Sequence, residues 1–230
     1  HHILAVIPAR GGSTRIPDKN IKPFAGKPLI AYAIEQAQKS GVPERVIVDT
    51  DSPRIAKIAK EYGAEVPFLR PPELATSSAK VTDALLFLLE RLKREEDYEP
   101  EYLLLLQATS PLRELEDIRI CAERIRSEPA STVLTTCPVQ PRRGDLVFVN
   151  RKDCVRGGIA ARGGSALCGT SGGVYIMRVA DFLREKKVIM NKTLAVLRPA
   201  WRSIDIDTIE DWTIAEVLFL HREEIRKHLP

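Results

Sequence analysis

Two glycine-rich nucleotide-binding patterns are missing from this sequence. The glycines of the opening segment do not form G-x-G-x-x-G, which excludes the dinucleotide-binding fingerprint there. The Gly26-Lys27 pair is not a P-loop either, because Ile21 stands five residues earlier where a glycine belongs, and no Ser or Thr follows. Any nucleotide site must therefore be built in another way.

Cysteine is scarce, with four residues in 230, and none of them forms a C-x-x-C pair. Their spacing fits no common zinc site, so we expect reduced thiols in a cytoplasmic protein rather than disulfides or a bound metal. The four are Cys121, Cys137, Cys154 and Cys168.

Aromatic residues and long apolar runs are also few. Aromatics make up 6% of the chain, the formal net charge is +4, and no long Lys/Arg tract is present, which argues against a nucleic-acid partner. Apolar runs such as residues 85–89 and 103–106 are too short to cross a bilayer, so we expect no membrane partner. No signal peptide is visible, and His1-His2 resembles the remnant of a purification tag.

What is present is an alternation of short apolar runs and amphipathic segments. Strands are predicted at residues 3–7, 46–48, 102–106 and 131–136, with 102–106 near the centre of the sheet, and a brief extended piece at 66–69. Helices are predicted from Pro28 to Gly41, from Ser52-Pro53 to Gly63, and over residues 82–92 and 116–126. This order predicts an α/β fold with a mostly parallel sheet covered by helices on both faces.

The alternation stops after Cys137. Residues 138–170 contain Pro/Arg-rich and Gly-rich patches around two short apolar pieces, and we interpret them as an inserted β-hairpin or flap. Returning strands are predicted at 173–177 and 194–197, an extended segment at 204–206, and a closing amphipathic helix over 209–228. The predicted core therefore comprises residues 3–137 and 171–230.

The first candidate site is the loop after the opening strand. Gly11-Gly12 is flanked by four cations, and backbone N–H groups in such a turn can form an anion-binding concavity. Arg and Lys side chains add charge-assisted hydrogen bonds to phosphate oxygens. A solvated basic loop is the alternative. The cations are Arg10, Arg15, Lys19 and Lys22.

A second candidate is the segment Ser203-Ile-Asp-Ile-Asp-Thr208. In an extended segment Asp205 and Asp207 face one side and the two isoleucines face the core. Paired carboxylates are suited to Mg²⁺, which also takes phosphate oxygens from a substrate. The alternative is that Asp207 or Thr208 caps the last helix.

Two further polar segments follow predicted strands, 107–113 (QATSPLR) and 70–75 (RPPELA). Each could be an ordinary turn, although Arg70 could reach a phosphate. Because the carboxyl ends of parallel strands form one rim, these segments and the two candidate sites are expected to meet there. The combination favours an enzyme that handles a nucleoside triphosphate or another polyphosphate.

These segments also resemble, in order and over nearly the whole chain, the motifs of one enzyme family. IPARGGSTRIPDKNIKPFAGKPL, RPPELA, LLLQATSPLR, GGVYIM and SIDIDTIEDWTIAE are similar to motifs of the cytidylyltransferases that activate acidic nonulosonic sugars. The most similar group is the CMP-N-acylneuraminate (CMP-sialic acid) synthetases, with the CMP-Kdo synthetases as relatives. The resemblance implies a Rossmann-like three-layer sandwich of the nucleotide-diphospho-sugar transferase type, with the inserted hairpin serving homodimerisation.

The resemblance also implies a reaction and roles for residues. The anomeric hydroxyl of an acidic sugar attacks the α-phosphorus of CTP, with Mg²⁺ or Mn²⁺ as cofactor, and releases pyrophosphate. Arg10, Lys19, Gln107 and Asp207 are implied to be catalytic, and Asp205 and Asp207 to hold the metal. Substrate binding is implied for Ala9, Gly11, Ser13, Arg15, Asn20, Arg70 and Ser78.

Three departures from the family motifs leave the identity of the acceptor sugar open. Thr14 stands where sialic acid enzymes usually carry Lys, and Ala108 replaces the middle proline of L-Q-P-T-S-P. The 140–170 stretch is short and hard to align, and any of its arginines could bind the sugar carboxylate. Sialic, Kdo, legionaminic and pseudaminic acids are all candidate acceptors, another nucleotide or a non-catalytic nucleotide-binding module is an alternative, and the general base is not evident. The arginines are Arg142, Arg143, Arg156 and Arg162.

Overall fold

The structure, a computed structural model, describes residues 2–138, 146–149, 152–157 and 166–229. In chain order the first half contains β1 (Ile3–Pro8), β2 (Pro23–Phe24), β3 (Lys27–Pro28), α1 (Leu29–Ser40), β4 (Arg45–Asp49), α2 (Pro53–Glu61), α3 (Val81–Glu96) and β5 (Tyr102–Leu105). The second half contains α4 (Leu115–Ser127), β6 (Thr132–Pro138), β7 (Leu146–Val149), β8 (Val155–Gly157), β9 (Ala166–Arg178), α5 (Val179–Glu185), β10 (Thr193–Leu197), α6 (Ile209–Leu220) and α7 (Arg222–Arg226).

The main sheet has the strand order β10-β6-β9-β5-β1-β4. β1 runs parallel to β4 and β5, β10 runs parallel to β6, and β9 runs antiparallel to both of its neighbours. The predicted α/β class with a mostly parallel sheet is confirmed, and β5 lies inside the sheet as expected. The reversed direction of β9 makes the sheet mixed.

Side chains alternate across this sheet because neighbouring strand residues point to opposite faces. In β1, Ala5 and Ile7 belong to the core cluster shared with α1, α2 and α4, whereas Leu4 and Val6 belong to the cluster shared with α3 and Phe182 of α5. Both clusters are closed to solvent, which explains the near-continuous apolar runs of the strands. The result is the expected three-layer sandwich.

Capping residues and glycines in the sequence predicted several helix ends correctly. Ser52 caps α2 through its side-chain oxygen, which accepts from Ile55 N at 3.4 Å, and Pro53 follows at the first helical position. Gly41 ends α1 with φ of 69°, a left-handed conformation that glycine adopts without strain. α3 and α4 extend a few residues beyond their predicted bounds.

Two segments predicted to be extended do not join the sheet, and one helix prediction was wrong. Residues 204–206 form no strand, and at 66–69 only the adjacent Glu65 bridges to a strand, at Ile47. The closing helix divides at His221, where the His221 ring contacts the Val217 carbonyl at 2.9 Å and the Arg222 guanidinium donates to the Phe219 carbonyl at 2.7 Å. Side chains that occupy the last carbonyls of a helix replace the continuing backbone bonds.

The inserted stretch adds strands to the sheet rather than forming a layer of its own. β7 pairs antiparallel with both β8 and β9. β9 is one strand of 13 residues that continues from this stretch into the main sheet, past residue 170. The domain boundary at 170/171 and the dimerisation role stay predictions.

Candidate active site

A cleft of about 300 Å³ opens at the carboxyl ends of β1 and β5, where ligand sites in α/β sheets usually lie. Six of the predicted site residues line it: Arg10, Ser13, Lys19, Asn20, Arg70 and Gln107. Residues from the 70–81 segment form the other wall of this cleft. The predicted convergence of the opening loop with the strand ends is therefore present in the fold.

Lys19 joins the opening loop to the paired aspartates. Its Nζ donates to the Ile206 carbonyl oxygen at 2.8 Å and lies 4.0 Å from Asp207 Oδ1. The Lys19 side chain is only 15% exposed, and this desolvation lowers its pKa, although the nearby Asp205 charge acts in the opposite direction. The amino-terminal cations and the carboxyl-terminal carboxylates, nearly 190 residues apart in sequence, thus share one site.

The aspartate segment has the alternation that its sequence predicted. Ile206 is fully buried, while Asp205 and Asp207 reach the accessible surface. Backbone N–H of Ile206 donates to the Thr109 carbonyl oxygen at 2.9 Å, and the Thr109 hydroxyl donates to Asp205. The segment is therefore attached to the loop after β5 without forming a strand.

The two carboxylates differ in electrostatic environment. Asp205 is exposed at the surface, yet the protein around its carboxylate desolvates it and raises its pKa, while the Thr109 hydroxyl and the Lys19 charge oppose the shift. Asp207 is more open and forms an ion pair with the Arg15 guanidinium. Cations therefore already face this carboxylate pair.

The capping alternative is correct for Thr208 and not for Asp207. The Thr208 hydroxyl accepts from Asp211 N at 3.2 Å, and Asp211 Oδ2 accepts from Thr208 N at 2.8 Å, which is a capping box for α6. The Asp207 carboxylate takes no part in this cap. Thr208 and Asp211 thus start the helix and leave the Asp205 and Asp207 carboxylates for other partners.

This donor set fits a divalent cation that takes part of its shell from a substrate. Two carboxylates on one side of a short segment are the ligands that Mg²⁺ prefers, with phosphate and water completing the octahedron. In the described part of the chain no group of three or more His, Cys, Asp or Glu side chains forms a closed metal site. The protein alone would supply only Asp205 and Asp207.

The opening loop uses its backbone mainly to hold its own shape. Gly11 N–H donates to Asp51 Oδ1 at 2.8 Å, and Ser13 N–H donates to the Gly11 carbonyl at 3.1 Å. Asn20 Nδ2 donates to the Arg10 carbonyl at 3.2 Å. The Gly11 and Ser13 N–H groups are thus engaged within the protein, and an anion-binding concavity in the rest of this loop stays a prediction.

Ala9 and Gly11 contribute to the loop by packing. The Ala9 side chain is buried and its N–H donates to the Asp49 carbonyl at 2.9 Å. A Cβ at Gly11 would lie 3.0 Å from Ser52 Cβ, which is closer than real side chains usually approach. Both residues bring the loop close to β4 and to the start of α2.

Arg70 lines the cleft but is largely committed to a buried ion pair. Its Nη2 lies 2.7 Å from Asp49 Oδ2 and donates to the Asp49 carbonyl at 2.9 Å, and its Nε donates to Oδ2 at 3.0 Å. Burial raises the pKa of Asp49, and the guanidinium counteracts this. Arg70 thus fixes the RPPELA segment to the end of β4.

The opposite wall contains a residue that the sequence analysis missed. Ser78 is exposed and outside the cleft lining, whereas Ser77 and Lys80 line the cleft. Lys80 directly precedes α3 and adds a cation to the cleft lining. The signal was available in sequence, because a lysine stands at the start of the helix that follows the RPPELA segment.

A second missed feature is a bulge in β9 beside Gln107. Leu134 pairs with Tyr175 and Thr136 pairs with Thr170, so four residues of β9 stand opposite Thr135 alone. Thr135 Oγ1 accepts from Val174 N at 2.9 Å and lies 2.8 Å from Ser171 Oγ. Bulges commonly redirect residues next to active sites.

The bulge places Gly172 against Gln107, a residue that lines the cleft. Gly172 has a φ of 63°, and a Cβ there would overlap Gln107 Oε1 and lie 3.4 Å from Asp205 Cγ. A glycine is therefore required by both the backbone conformation and the space. The Gly172-Gly173 pair was visible in the sequence, but nothing there indicated that it would touch Gln107.

Most of the arginines predicted for the sugar side are not described. Arg142, Arg143 and Arg162 lie outside the described residues. Arg156 belongs to β8, and its side chain is also outside the described part of the chain. Their proposed contact with a sugar carboxylate stays a prediction.

Comparisons with known proteins identify the family of this chain. A sequence profile of the cytidylyltransferase family matches residues 4–152. The chain is 34% identical to the CMP-N,N'-diacetyllegionaminic acid synthase of Legionella pneumophila, with 96% of this chain and 98% of that protein covered. It is 32% identical to an N-acylneuraminate cytidylyltransferase of Streptococcus agalactiae, covering 91% of this chain and 51% of that protein.

A solved structure has the same fold. A CMP:2-keto-3-deoxy-manno-octonic acid synthetase, determined in complex with CTP, superposes with a TM-score of 0.76 at 20% identity and covers 96% of this chain and 100% of that one. Among the described helices, none has the length and apolar character needed to span a membrane. The profile, the full-length relative and the cleft at the strand ends together show that the chain belongs to the cytidylyltransferase family.

Proposed function

We propose that this protein transfers CMP from CTP to the anomeric hydroxyl of an acidic nonulosonic-type sugar and releases pyrophosphate. The observation that carries the proposal is the contact of Lys19 with the Ile206 carbonyl, 4.0 Å from Asp207. It brings a carboxylate pair next to a cationic loop that lines the cleft, which is the arrangement that a polyphosphate with a divalent cation requires. The legionaminic acid and acylneuraminate enzymes described above support the choice of nucleotide and sugar class.

In this mechanism the opening loop receives the triphosphate. Arg10 and Lys19 bind phosphate oxygens and stabilise the charge that collects on the departing pyrophosphate. Asn20, through its hydrogen bond to the Arg10 carbonyl, keeps the loop in a fixed conformation. In-line displacement at phosphorus depends mainly on such positioning and charge neutralisation.

Asp205 and Asp207 are the residues that would hold Mg²⁺ or Mn²⁺ in this proposal. A divalent ion supplies Lewis-acid polarisation of phosphate oxygens and neutralises their charge. Arg15 now pairs with Asp207, and it is exposed enough to exchange that partner for a phosphate. The Thr109 hydroxyl donates to Asp205 from a residue that lines the cleft, and the Lys19 charge lies close to the same carboxylate.

The acceptor sugar is placed on the Gln107 side of the cleft. Gln107 orients the sugar from the end of β5, and the arginines of the inserted stretch are the candidates for its carboxylate. Homodimerisation through that stretch and a cytoplasmic location belong to the same proposal.

The test is a screen for pyrophosphate release. ATP, CTP, GTP and UTP are each combined with sialic, legionaminic, pseudaminic and Kdo acids in the presence of Mg²⁺, and CTP with a nonulosonic acid is expected to turn over. Turnover with another nucleotide and not with CTP would instead favour the alternative nucleotidyltransferase. No turnover with any pair, together with tight nucleotide binding, would favour a non-catalytic nucleotide-binding module.

Carboxylate variants extend the same assay. Asp205→Asn and Asp207→Asn are expected to lose most turnover while they stay folded, because each removes one of the two proposed metal ligands. Glu99→Gln is the matched control, since Glu99 is 60% exposed and lies before the amino end of β5, away from the cleft. Full activity of both aspartate variants would contradict the proposed mechanism.

A further inference from the structure

Arg113, the last residue of the QATSPLR segment, is buried and donates to three different parts of the fold. Its Nη2 donates to the Gln107 carbonyl at 2.6 Å, and its Nη1 donates to Gln36 Oε1 of α1 at 2.7 Å. Its Nε donates to the Gly173 carbonyl in the β9 bulge. The guanidinium therefore touches the segment that carries Gln107 and the bulge that faces it.

Arg113 lies at the point where β5 and β9 stop pairing with each other. The ladder between β5 and β9 has its last pair at Leu105 and Tyr175. Beyond that pair, Gln107 and Gly173 no longer bond to each other, and their carbonyls are instead bridged by one guanidinium. A planar fork with five donors is suited to hold two carbonyls apart at a fixed separation.

Gln36 supports this bridge from the helix side. Besides accepting from Arg113 Nη1, its amide nitrogen donates to the Pro111 and Arg113 carbonyls, each at 2.9 Å. The 107–113 segment is thereby closed into a loop whose first and last residues are connected. Such a loop has little freedom to shift relative to β9.

The charge of Arg113 is also unusual for a buried group. Among the described residues no carboxylate oxygen lies within ion-pair distance of it, so its hydrogen-bond acceptors are neutral oxygens. Burial lowers its pKa to about 9, so the guanidinium remains charged at neutral pH. A buried cation without a contacting anion is costly to the folded state, which calls for a reason beyond packing.

We propose that Arg113 is a positioning residue for the acceptor side of the reaction. By bridging the backbone carbonyls of Gln107 and Gly173, it fixes the Gln107 side-chain amide against Gly172. The inference rests on the proposed role of Gln107 toward the sugar. Gln107 Oε1 lies so close to Gly172 that a Cβ there would overlap it, so a shift of either backbone segment moves the Gln107 side-chain amide. The residues proposed to hold the triphosphate, Arg10 and Lys19, form no hydrogen bond or ion pair with Arg113 in the described part of the chain.

The test separates acceptor kinetics from nucleotide binding. Arg113→Met is expected to lower kcat/KM for the sugar by about 100-fold, the usual effect of a misplacement near 1 Å, while the Kd for CTP changes less than about threefold. Arg113→Lys keeps the charge but not the fork, and an intermediate loss is expected. Wild-type sugar kinetics in Arg113→Lys would show that charge alone matters and would overturn the bridging role.

A double-mutant cycle identifies Gln107 as the residue through which Arg113 acts. If the proposal holds, Arg113→Met adds little to the loss already caused by Gln107→Ala, because both remove the same positioned amide. Fully additive losses would contradict it. If Gln107→Ala alone keeps wild-type sugar kinetics, the role of Gln107 in the proposed function fails, and the positioning role fails with it. Pyrophosphate release from CTP by the wild-type enzyme tests the reaction itself separately.

Arg178 provides the matched control. It lies at the other end of β9 and also donates to carbonyls, those of Ala130 at 2.8 Å and Ile125 at 2.6 Å. Arg178→Met is expected to lower Tm comparably but to leave the sugar KM unchanged. Equal effects of both variants on sugar kinetics would reduce Arg113 to a general structural role. If Arg113→Met does not fold, Gln36→Met replaces it, and a smaller loss in the same direction is expected; unchanged sugar kinetics there would overturn the proposal.

Discussion

Replacing Gly172 by alanine should damage activity far more than stability. The change forces an L-residue into a φ of 63°, which costs about 1–2 kcal/mol. For a chain of this size that lowers Tm by about 2–8 °C. The new Cβ also overlaps Gln107 Oε1 and lies 3.0 Å from Ser110 Oγ, so the Gln107 amide must move. A displacement near 1 Å at a reacting site costs about 100-fold in rate.

Gly41→Ala is the matched control for this prediction. Gly41 has a similar φ of 69°, but a Cβ there would meet nothing within 4 Å, and it ends α1 away from the cleft. Both variants should therefore lose similar stability in thermal unfolding followed by circular dichroism. Only Gly172→Ala should lose CTP-dependent pyrophosphate release, by about 100-fold in kcat/KM for the sugar.

Two outcomes would refute this reasoning. One is a folded Gly172→Ala enzyme with activity within about threefold of wild type, which would show that the Gln107 position is unimportant. The other is an equal loss of activity in Gly41→Ala, which would show that the defect follows from reduced stability. A crystal structure of the variant would show directly whether the Gln107 amide has moved.

Two further predictions concern Asp49 and Asp205, whose carboxylates are both desolvated by the surrounding protein. Arg70→Met should lower the free energy of unfolding by about 3–5 kcal/mol, because the Asp49 carboxylate loses its 2.7 Å partner; urea unfolding should show that adding Asp49→Asn recovers part of the loss, and no recovery would contradict the ion-pair account. Asp205→Asn should raise Tm at pH 7, because desolvation raises the pKa of Asp205 and makes its ionised form costly in the folded state. Between the ordinary aspartate pKa of 3.8 and this raised pKa, the folded wild-type protein binds more protons than its unfolded chain. The Tm advantage of the variant over wild type should therefore shrink as the pH falls through this range. A variant Tm below that of wild type at pH 7 would contradict this reasoning.

Much of the fold could be predicted because the buried strands and helix ends carry local signals. β1 and β5 were visible as apolar runs, and Ser52-Pro53 and Gly41 marked helix ends by capping and left-handed geometry. The antiparallel direction of β9 was not visible, because a strand buried on both faces has the same apolar pattern in either direction. Residues 204–206 show the same limit, since alternation alone does not decide whether a segment finds a ladder partner.

The charged residues of the site could be predicted from the sequence, but the residues that position the site through tertiary contacts could not. Lys19 and the two aspartates were identified because charge and spacing are local properties, and the structure brings them together. Gly172 and Arg113 act through contacts between segments 60 or more residues apart, and no local pattern encodes such contacts. Arg70 could be identified as a cation, but its commitment to Asp49 depends on tertiary structure.

The most direct test of the central claim is anomalous diffraction from crystals of this protein grown with CTP and Mn²⁺. The account predicts one anomalous peak at the carboxylates of Asp205 and Asp207, bridged to a triphosphate that Arg10 and Lys19 also contact. A peak away from these carboxylates, or a triphosphate bound on another face of the molecule, would contradict it.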